Sequence, residues 1–177
     1  MRSIVNLIEH LHEDFEFCII TTDRDLGDRE SYSDVKSNAW NTVGSAQVYY
    51  ASPDKLTLPL IAKLIHDTPH DILYLNSFFS PKFTIFPLFA RRLGIIPRRP
   101  VVLAPRGEFS QGALALKSLK KRIYLFFAKT VKLVSGVTLQ ASSSYEAADI
   151  RRELGDNLSR IYVATNLPRR ITENTSQ

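Results

Sequence analysis

Three short polar stretches have residue types and spacing that could do chemistry. The first is Arg106-Gly107-Glu108, which follows the apolar run Val101–Ala104 and Pro105. In alternating α/β proteins, ligands sit outside the carboxyl ends of the parallel strands, so a cation, a glycine and a carboxylate at such an end form a candidate site. The same residues also suit an exposed turn carrying an Arg–Glu pair. The second stretch is Asn76-Ser77-Phe78-Phe79-Ser80, after the strand-like DILYLN of 71–76. Asn76 and Ser77 could hold a hydroxyl or a phosphate. Ser80 ahead of Pro81 also fits a helix N-cap with proline at the first helical position. The third is Ser142-Ser143-Ser144 with Glu146, after Val137–Ala141. A helix start leaves N–H groups facing a cleft, which makes Ser144 and Glu146 binding candidates. Ser143 as N-cap with Glu146 three residues on is equally a capping box.

Other chemistries lack a signature. There is no GxGxxG, no GxxxxGK[ST], no GxSxG and no HExxH. His10 and His12 lie two apart on a helical segment and so point to different faces. His66 falls in the last turn of a second helix, where it meets the C-terminal dipole. All four histidines, His70 included, read as structural, and no catalytic histidine with a partner can be named. The single cysteine, Cys18, allows no internal disulfide and no CxxC metal site. Set within Phe17-Cys18-Ile19-Ile20, it is expected to be a small buried hydrophobe.

The elements that must position these stretches alternate in type. Ile4, Leu7, Ile8 and Leu11 recur at helical spacing, so 2–12 reads as a helix. Strands follow at 15–22 and 47–51, separated by a polar segment, 23–44, that has no period and contains the only tryptophan, Trp40. A segment this long without structure of its own is usually functional or mobile. Then come a helix at 56–66, with Pro59 in its first turn, a strand at 71–76, and a helix at 81–93 ending at Gly94. Pro87 should start or kink the regular part of that helix. The remaining elements are a strand at 101–104, a long helix at 116–134, a strand at 137–141, a helix at 144–154 and a strand at 160–164. The tail ITENTSQ is polar and expected to be loose. Strands alternating with helices predict a Rossmann-like parallel sheet with helices on both faces.

With 177 residues the chain fits one domain and can bury a core without staples. The composition, 44% hydrophobic and 23% charged, is that of a globular protein, and no apolar run is long enough for a transmembrane helix. Cysteine usage suits a reducing cytoplasm. The net charge of +5 favours anionic partners without choosing among them. Nucleic acid is not expected, since no recognition motif for it appears. The charge is concentrated in the long helix. Its apolar set is Leu116, Leu119, Ile123, Phe126, Phe127, Val131 and Val134, and it carries Lys117, Lys120, Lys121, Arg122, Lys129 and Lys132 with no acid. Two readings stand: a solvated basic face, or an interfacial helix on anionic lipid touched by Lys117, Lys120, Lys121 and Arg122.

Val101–Lys121, VVLAPRGEFSQGALALKSLKK, resembles the acceptor-side domain of GT-B glycosyltransferases of the family 4 (group 1) type. TTDRDLGD at 21–28, DILYLNSFFSP at 71–81, ASSSYEAADIRREL at 141–154 and IYVATNLP at 161–168 follow the same pattern in the same order. The resemblance implies metal-free, anomer-retaining transfer of a sugar from a nucleotide-sugar donor to a cell-surface glycan or lipid-linked acceptor, with no cofactor. The residues expected to bind substrate are those read from the strand ends: Asn76, Ser77, Arg106, Gly107, Glu108, Ser144 and Glu146. Many family members carry a histidine in the loop where this chain has Arg106-Gly107-Glu108, so that role does not transfer. Arg106 is instead expected to neutralise phosphate charge. Family members also begin with a strand and a glycine-rich loop ahead of the helix that here opens at Arg2-Ser3-Ile4, and they pass into a donor-binding domain near Asn166-Leu167-Pro168. The expectation is an N-terminal fragment, 1–168, with a flexible tail at 169–177, lacking the family's first strand and inactive alone. It could pair as a homodimer. The alternative is a non-catalytic module that docks on a partner chain.

Overall fold

The computed structural model describes residues 2–116, 118–155 and 160–170. The chain is a mixed α/β protein with a parallel four-stranded sheet flanked by helices, the Rossmann-like arrangement that the alternating pattern predicts. Its residues form two compact units, Met1–Lys55 with Asn166–Gln177, and Leu56–Thr165.

The first unit opens with α1 (Arg2–Leu11), followed by β1 (Phe17–Thr22), β2 (Ala39–Val43) and β3 (Ala46–Ala51). The strand order is β1-β3-β2, with β1 parallel and β2 antiparallel to the central β3. The returning segment is tied to α1, since Asn6 Nδ2 donates to the Leu167 carbonyl at 2.8 Å and Arg170 Nη1 to that of Glu9 at 3.0 Å. β2 corrects the reading of 23–44 as wholly irregular. It forms a hairpin with β3 through Gly44-Ser45, in which Gly44 has φ +57°. That is the first-position glycine a tight II′ turn requires. Trp40 on β2 packs edge-on against Tyr49 of β3, with ring centroids 5.5 Å apart.

The rest of the polar segment is pinned at the carboxyl end of β1. The buried Asp23 carboxylate accepts from Arg24 Nε at 2.8 Å and Ser37 Oγ at 2.7 Å. The Tyr32 amide donates to the Asp23 carbonyl at 2.8 Å. The hydrogen bond from Arg24 holds the Asp23 carboxyl below its usual range; Ser37 and the Arg24 charge add to this, while burial opposes it. The Tyr32 hydroxyl donates to Asp25, which pushes the phenol up to about 12.

Cys18 departs from expectation, being exposed rather than buried. β1 is an edge strand, and none of its six residues is fully buried. Partial burial, with the nearby charge of Glu16, still pushes the thiol pKa up.

The second unit runs α2 (Leu58–Asp67), β4 (Leu73–Asn76), a π-helical turn (Pro81–Ile85) leading into α3 (Phe86–Arg92), β5 (Val101–Ala104), α4 (Gln111–Ala115), α5 (Ser118–Thr130), β6 (Val137–Ala141), α6 (Ser144–Leu154) and β7 (Arg160–Val163). The sheet order β4-β5-β6-β7 is parallel throughout. Alternate strand residues, Leu75, Val101, Leu103, Val137 and Leu139, pack with helix residues such as Leu88, Leu125 and Ile150 into one buried cluster. Period-2 alternation sends one residue set of each strand to that face.

Helix starts follow their caps. Thr57 Oγ1 accepts from the Leu60 amide and Ser80 Oγ from that of Phe83 at 3.2 Å, each with a proline in the first turn. Pro87 has no N–H to donate, and the π-type turn gives way to α3 beside it. Gly94 and Gly155 follow α3 and α6 with φ of +73° and +83°, positive values that glycine takes without a side-chain penalty.

The long helix expected at 116–134 is shorter, with α5 alone inside that range and a separate α4 ahead of it. α4 starts earlier, capped by Ser110, and the helix breaks at Leu116 before α5, which stops at Thr130. Its apolar set also divides otherwise than expected. Val134 is buried, but Leu116, Leu119, Ile123, Phe126 and Phe127 are exposed, and the core is filled instead by Leu125, Ala128 and Leu133. Among the described residues no helix is long and apolar enough to cross a membrane. The tail 171–177 lies outside the described residues.

Candidate functional site

The carboxyl ends of β4, β5 and β6 each lead into a polar loop, and hydrogen bonds lace the three loops together. The β4 strand runs on for one residue beyond Asn76, with the Ser77 amide donating to the Ala104 carbonyl at 3.0 Å. Ser77 then turns through φ +69°. This sharp turn exposes the Phe78 and Phe79 amides, and Glu108 of the next loop receives both. Its Oε2 accepts from the Phe78 and Phe79 N–H groups, and its Oε1 accepts from Ser77 Oγ at 2.7 Å. The buried Thr84 hydroxyl donates to the Ser77 carbonyl at 2.6 Å, which fixes the turn from the π-helical side.

Glu146 does the same between β5 and β6. Ser143 Oγ accepts from the Glu146 amide at 3.2 Å, so Ser143 is the N-cap of α6 as its sequence suggests. The Glu146 carboxylate reaches one residue further back than in a simple capping box. Its Oε2 accepts from the Ser142 amide at 2.7 Å and from Ser142 Oγ at 2.6 Å. Its Oε1 crosses to the β5 loop and accepts from the Gly107 amide at 2.6 Å. Gly107 has φ +79°, a conformation that aims this amide without a side-chain penalty.

Arg106, itself at φ +58°, lays its guanidinium along the end of β4. Nε and Nη2 both donate to Asn76 Oδ1, at 3.2 and 3.1 Å, and Nη2 also donates to the Tyr74 hydroxyl at 3.0 Å. Tyr74 OH donates in turn to Gln140 Oε1 at 2.6 Å, and Gln140 Nε2 donates to the Ala164 carbonyl at 3.0 Å. The chain Arg106–Tyr74–Gln140–Ala164 thus spans the sheet from β4 to the end of β7. Burial raises the Tyr74 pKa, against the opposing charge of Arg106, and keeps this phenol a neutral donor.

Beneath the loops lies an aromatic cluster. Phe78 packs on Phe79, Phe109 and Tyr124, with centroids 5.2, 4.8 and 5.4 Å away. The buried Tyr124 hydroxyl has no hydrogen-bond partner among the described residues, and burial together with the charge of Glu108 pushes its pKa up. Lys121 folds inward to this cluster. Its Nζ donates to the Ala113 carbonyl and sits 5.1 Å from the Phe79 ring centroid. That removes Lys121 from the outward basic face expected of it, because a cation–π contact and a carbonyl hold it there. Lys120 and Arg122 are exposed as expected, and Lys117 lies outside the described residues.

Six of the seven residues singled out from the sequence therefore meet in one network: Asn76, Ser77, Arg106, Gly107, Glu108 and Glu146. Ser144 does not join them. It is the exposed first residue of α6 and takes no part in the hydrogen bonding. The two carboxylates hold the loops in place through backbone donors, and the surface they shape presents a cation, an amide and hydroxyls. Sequence reasoning missed Tyr74, Gln140 and the carboxylate-binding role of Ser142. The signal for Tyr74 was its spacing, two residues before Asn76 and so on the same strand face. For Gln140 it was an amide set between the apolar Leu139 and Ala141 of its strand.

Shallow concavities elsewhere, one of 270 Å³ lined by residues that include Leu114, Arg122 and Glu153 and one of 420 Å³ around Tyr32 and Tyr50, involve none of this network. Among the described residues no three His, Cys, Asp or Glu side chains are grouped to hold a metal ion. Comparison with known proteins gives no matching family model, no matching curated sequence and no matching solved structure.

Proposed function

We propose that this chain is the acceptor-binding half of a retaining glycosyltransferase, moving a sugar from a nucleotide-sugar donor to a cell-surface glycan or lipid-linked acceptor. One observation carries the reading: three successive loops at the carboxyl ends of a parallel sheet are braced into one surface around Arg106 and Asn76. This is where α/β proteins bind ligands. Amide, hydroxyl and guanidinium groups are the donors that sugar hydroxyls and phosphates require. The sequence resemblance at 71–81, 101–121 and 141–154 covers these same loops. In the family the sequence resembles, a second domain binds the donor, so on this reading the chain is expected to be inactive alone. We place the protein in the cytoplasm, peripheral on the inner face of the cell membrane.

The alternative is a non-catalytic module that docks on a partner chain. It is favoured by the engagement of both carboxylates, Glu108 and Glu146, with backbone donors, which leaves neither aimed at a substrate proton.

The test is a set of transfer and hydrolysis assays of the folded chain against UDP-, GDP- and ADP-sugars, run beside NMR titration with oligosaccharide acceptors. The expected result is no turnover, with acceptor-induced shifts at Asn76 and Arg106 that Arg106→Ala abolishes. Turnover by the chain alone refutes the half-enzyme reading. Absence of any acceptor-induced shift moves the assignment to the docking module.

A further inference from the structure

The exposed side of α5 is built as an interfacial surface, and the helix geometry assigns its occupant. At about 3.6 residues per turn, Leu119, Ile123, Phe126 and Phe127 fall within an arc of about 100°. They are 71%, 61%, 74% and 45% exposed, and Leu116, just ahead of the helix, is 70% exposed. The opposite side of α5, Leu125 and Ala128, is buried in the core. The helix is thus anchored by one apolar side and shows a second apolar side outward, which a helix resting on its own protein has no need of. A contiguous exposed apolar patch of this kind marks an interaction surface.

Charge selects the partner. Lys120 borders the arc on one edge and Arg122 with Lys129 on the other, and all three are exposed. From Phe109 to Val134 the sequence contains six Lys and Arg residues and no Asp or Glu. Glu153, which lines the same concavity as Arg122, already accepts from Arg152 Nε at 3.1 Å. A second copy of the chain packed face to face would set these cations against their own images, which costs energy. A bilayer of anionic lipid satisfies both features at once: the acyl boundary takes the apolar arc and the headgroups take the cations.

We infer that α5 is an in-plane membrane helix that inserts Phe126, Ile123 and Leu119 into the interface of an anionic bilayer. The surface stands whether or not the chain is a glycosyltransferase. If it is one, the same surface holds the enzyme where lipid-linked acceptors are presented.

The experiment is co-sedimentation of the full chain with vesicles of phosphatidylcholine containing phosphatidylglycerol, and with vesicles of phosphatidylcholine alone. Binding is expected only with the anionic lipid and is expected to weaken in high salt. Phe126→Ser is expected to weaken it about tenfold, the loss for one aromatic side chain withdrawn from the apolar phase. Lys120→Gln and Lys129→Gln, each removing one positive charge, are each expected to weaken it about fivefold. As a direct probe of insertion, Phe126→Trp in a Trp40→Phe background should shift its emission to the blue on adding anionic vesicles. These positions are exposed, so thermal melts of the variants should match the parent. Three results overturn the inference: no vesicle binding by the parent, equal binding by parent and Phe126→Ser, or a parent dimer that Phe126→Ser dissociates. The assay contains no sugar, so its failure leaves the glycosyltransferase reading untouched, and failed sugar binding leaves this one untouched.

Discussion

Replacing Glu146 by alanine should loosen the loop network and destabilise the second unit together. The carboxylate accepts from the amides of Gly107 and Ser142 and from the Ser142 hydroxyl. An amide left without its acceptor in a buried setting costs about 1–3 kcal/mol. Gly107 is exposed, so water takes over part of its loss, whereas Ser142 is half-buried and pays more. The Ser142 hydroxyl can rotate towards solvent. The sum is about 2–3 kcal/mol, a large share of the ~5–15 kcal/mol that holds a typical domain folded. Glu146→Gln keeps one acceptor oxygen but turns an NH₂ group towards one set of donors, and should lose about 1 kcal/mol. Thermal unfolding followed by far-UV circular dichroism should therefore rank parent above Gln above Ala. The Ala variant should melt about 5–10 °C lower. Amide exchange should quicken at Gly107 and Ser142 in the Ala variant. Ser142→Ala combined with Glu146→Ala should cost less than the two single losses added, because they share one interaction. A Glu146→Ala protein that melts within a degree of the parent, with both amides still protected, would refute the account of the carboxylate as the brace between loops.

Asp23 should make the first unit sensitive to acid. Its pKa lies below the ordinary 3.8, so the stability it contributes is present above that value and is lost as pH falls through the lower folded value. Asp23→Asn should lower stability at neutral pH and flatten the acid limb of the pH–stability curve; an unchanged limb would contradict the pairing. Leu139→Ala, at a fully buried position in β6, should cost about 2–5 kcal/mol in denaturant unfolding, and a loss below about 1 kcal/mol would mean that the site collapses around the gap. Gly44→Ala should cost about 1–2 kcal/mol through the backbone alone, since a Cβ there meets nothing within 4 Å and only the φ of +57° is unfavourable; a neutral result would mean that the turn relaxes to another type.

The sequence by itself determined the parts of this protein whose cause is local. Period-2 and helical spacing located six of the seven strands and the helices between them other than α4, because apolar periodicity records which face must be buried. Ser80 before Pro81, and Ser143 three residues before Glu146, announced their helix starts through chemistry that acts within one turn. The candidate site was legible for a related reason: residues at consecutive strand ends must gather at one edge of a parallel sheet. Asn76, Ser77, Arg106, Gly107, Glu108 and Glu146 do so. β2 was within reach too, since Gly44-Ser45 between Ala39–Val43 and Ala46–Ala51 is a hairpin signal that the surrounding polar residues obscured.

Tertiary structure alone decided which surfaces were covered and which donors each carboxylate met. Cys18 sits in an apolar run, yet its strand lies at a sheet edge and leaves it exposed. Leu119, Ile123 and Phe126 have the spacing of a core stripe. The core chose the opposite side of α5 because Leu125 and Ala128 fit against the sheet, and periodicity cannot say which of two apolar stripes turns inward. Lys121 belongs by sequence to a basic face but folds onto Phe79, forty-two positions earlier in the chain. Glu146 reads locally as a cap, and its bond to Gly107 exists only because β5 and β6 are neighbours. Local spacing fixes what a residue can do within its own turn. Long-range packing decides which distant group it meets, and the bracing of this site is made of such meetings.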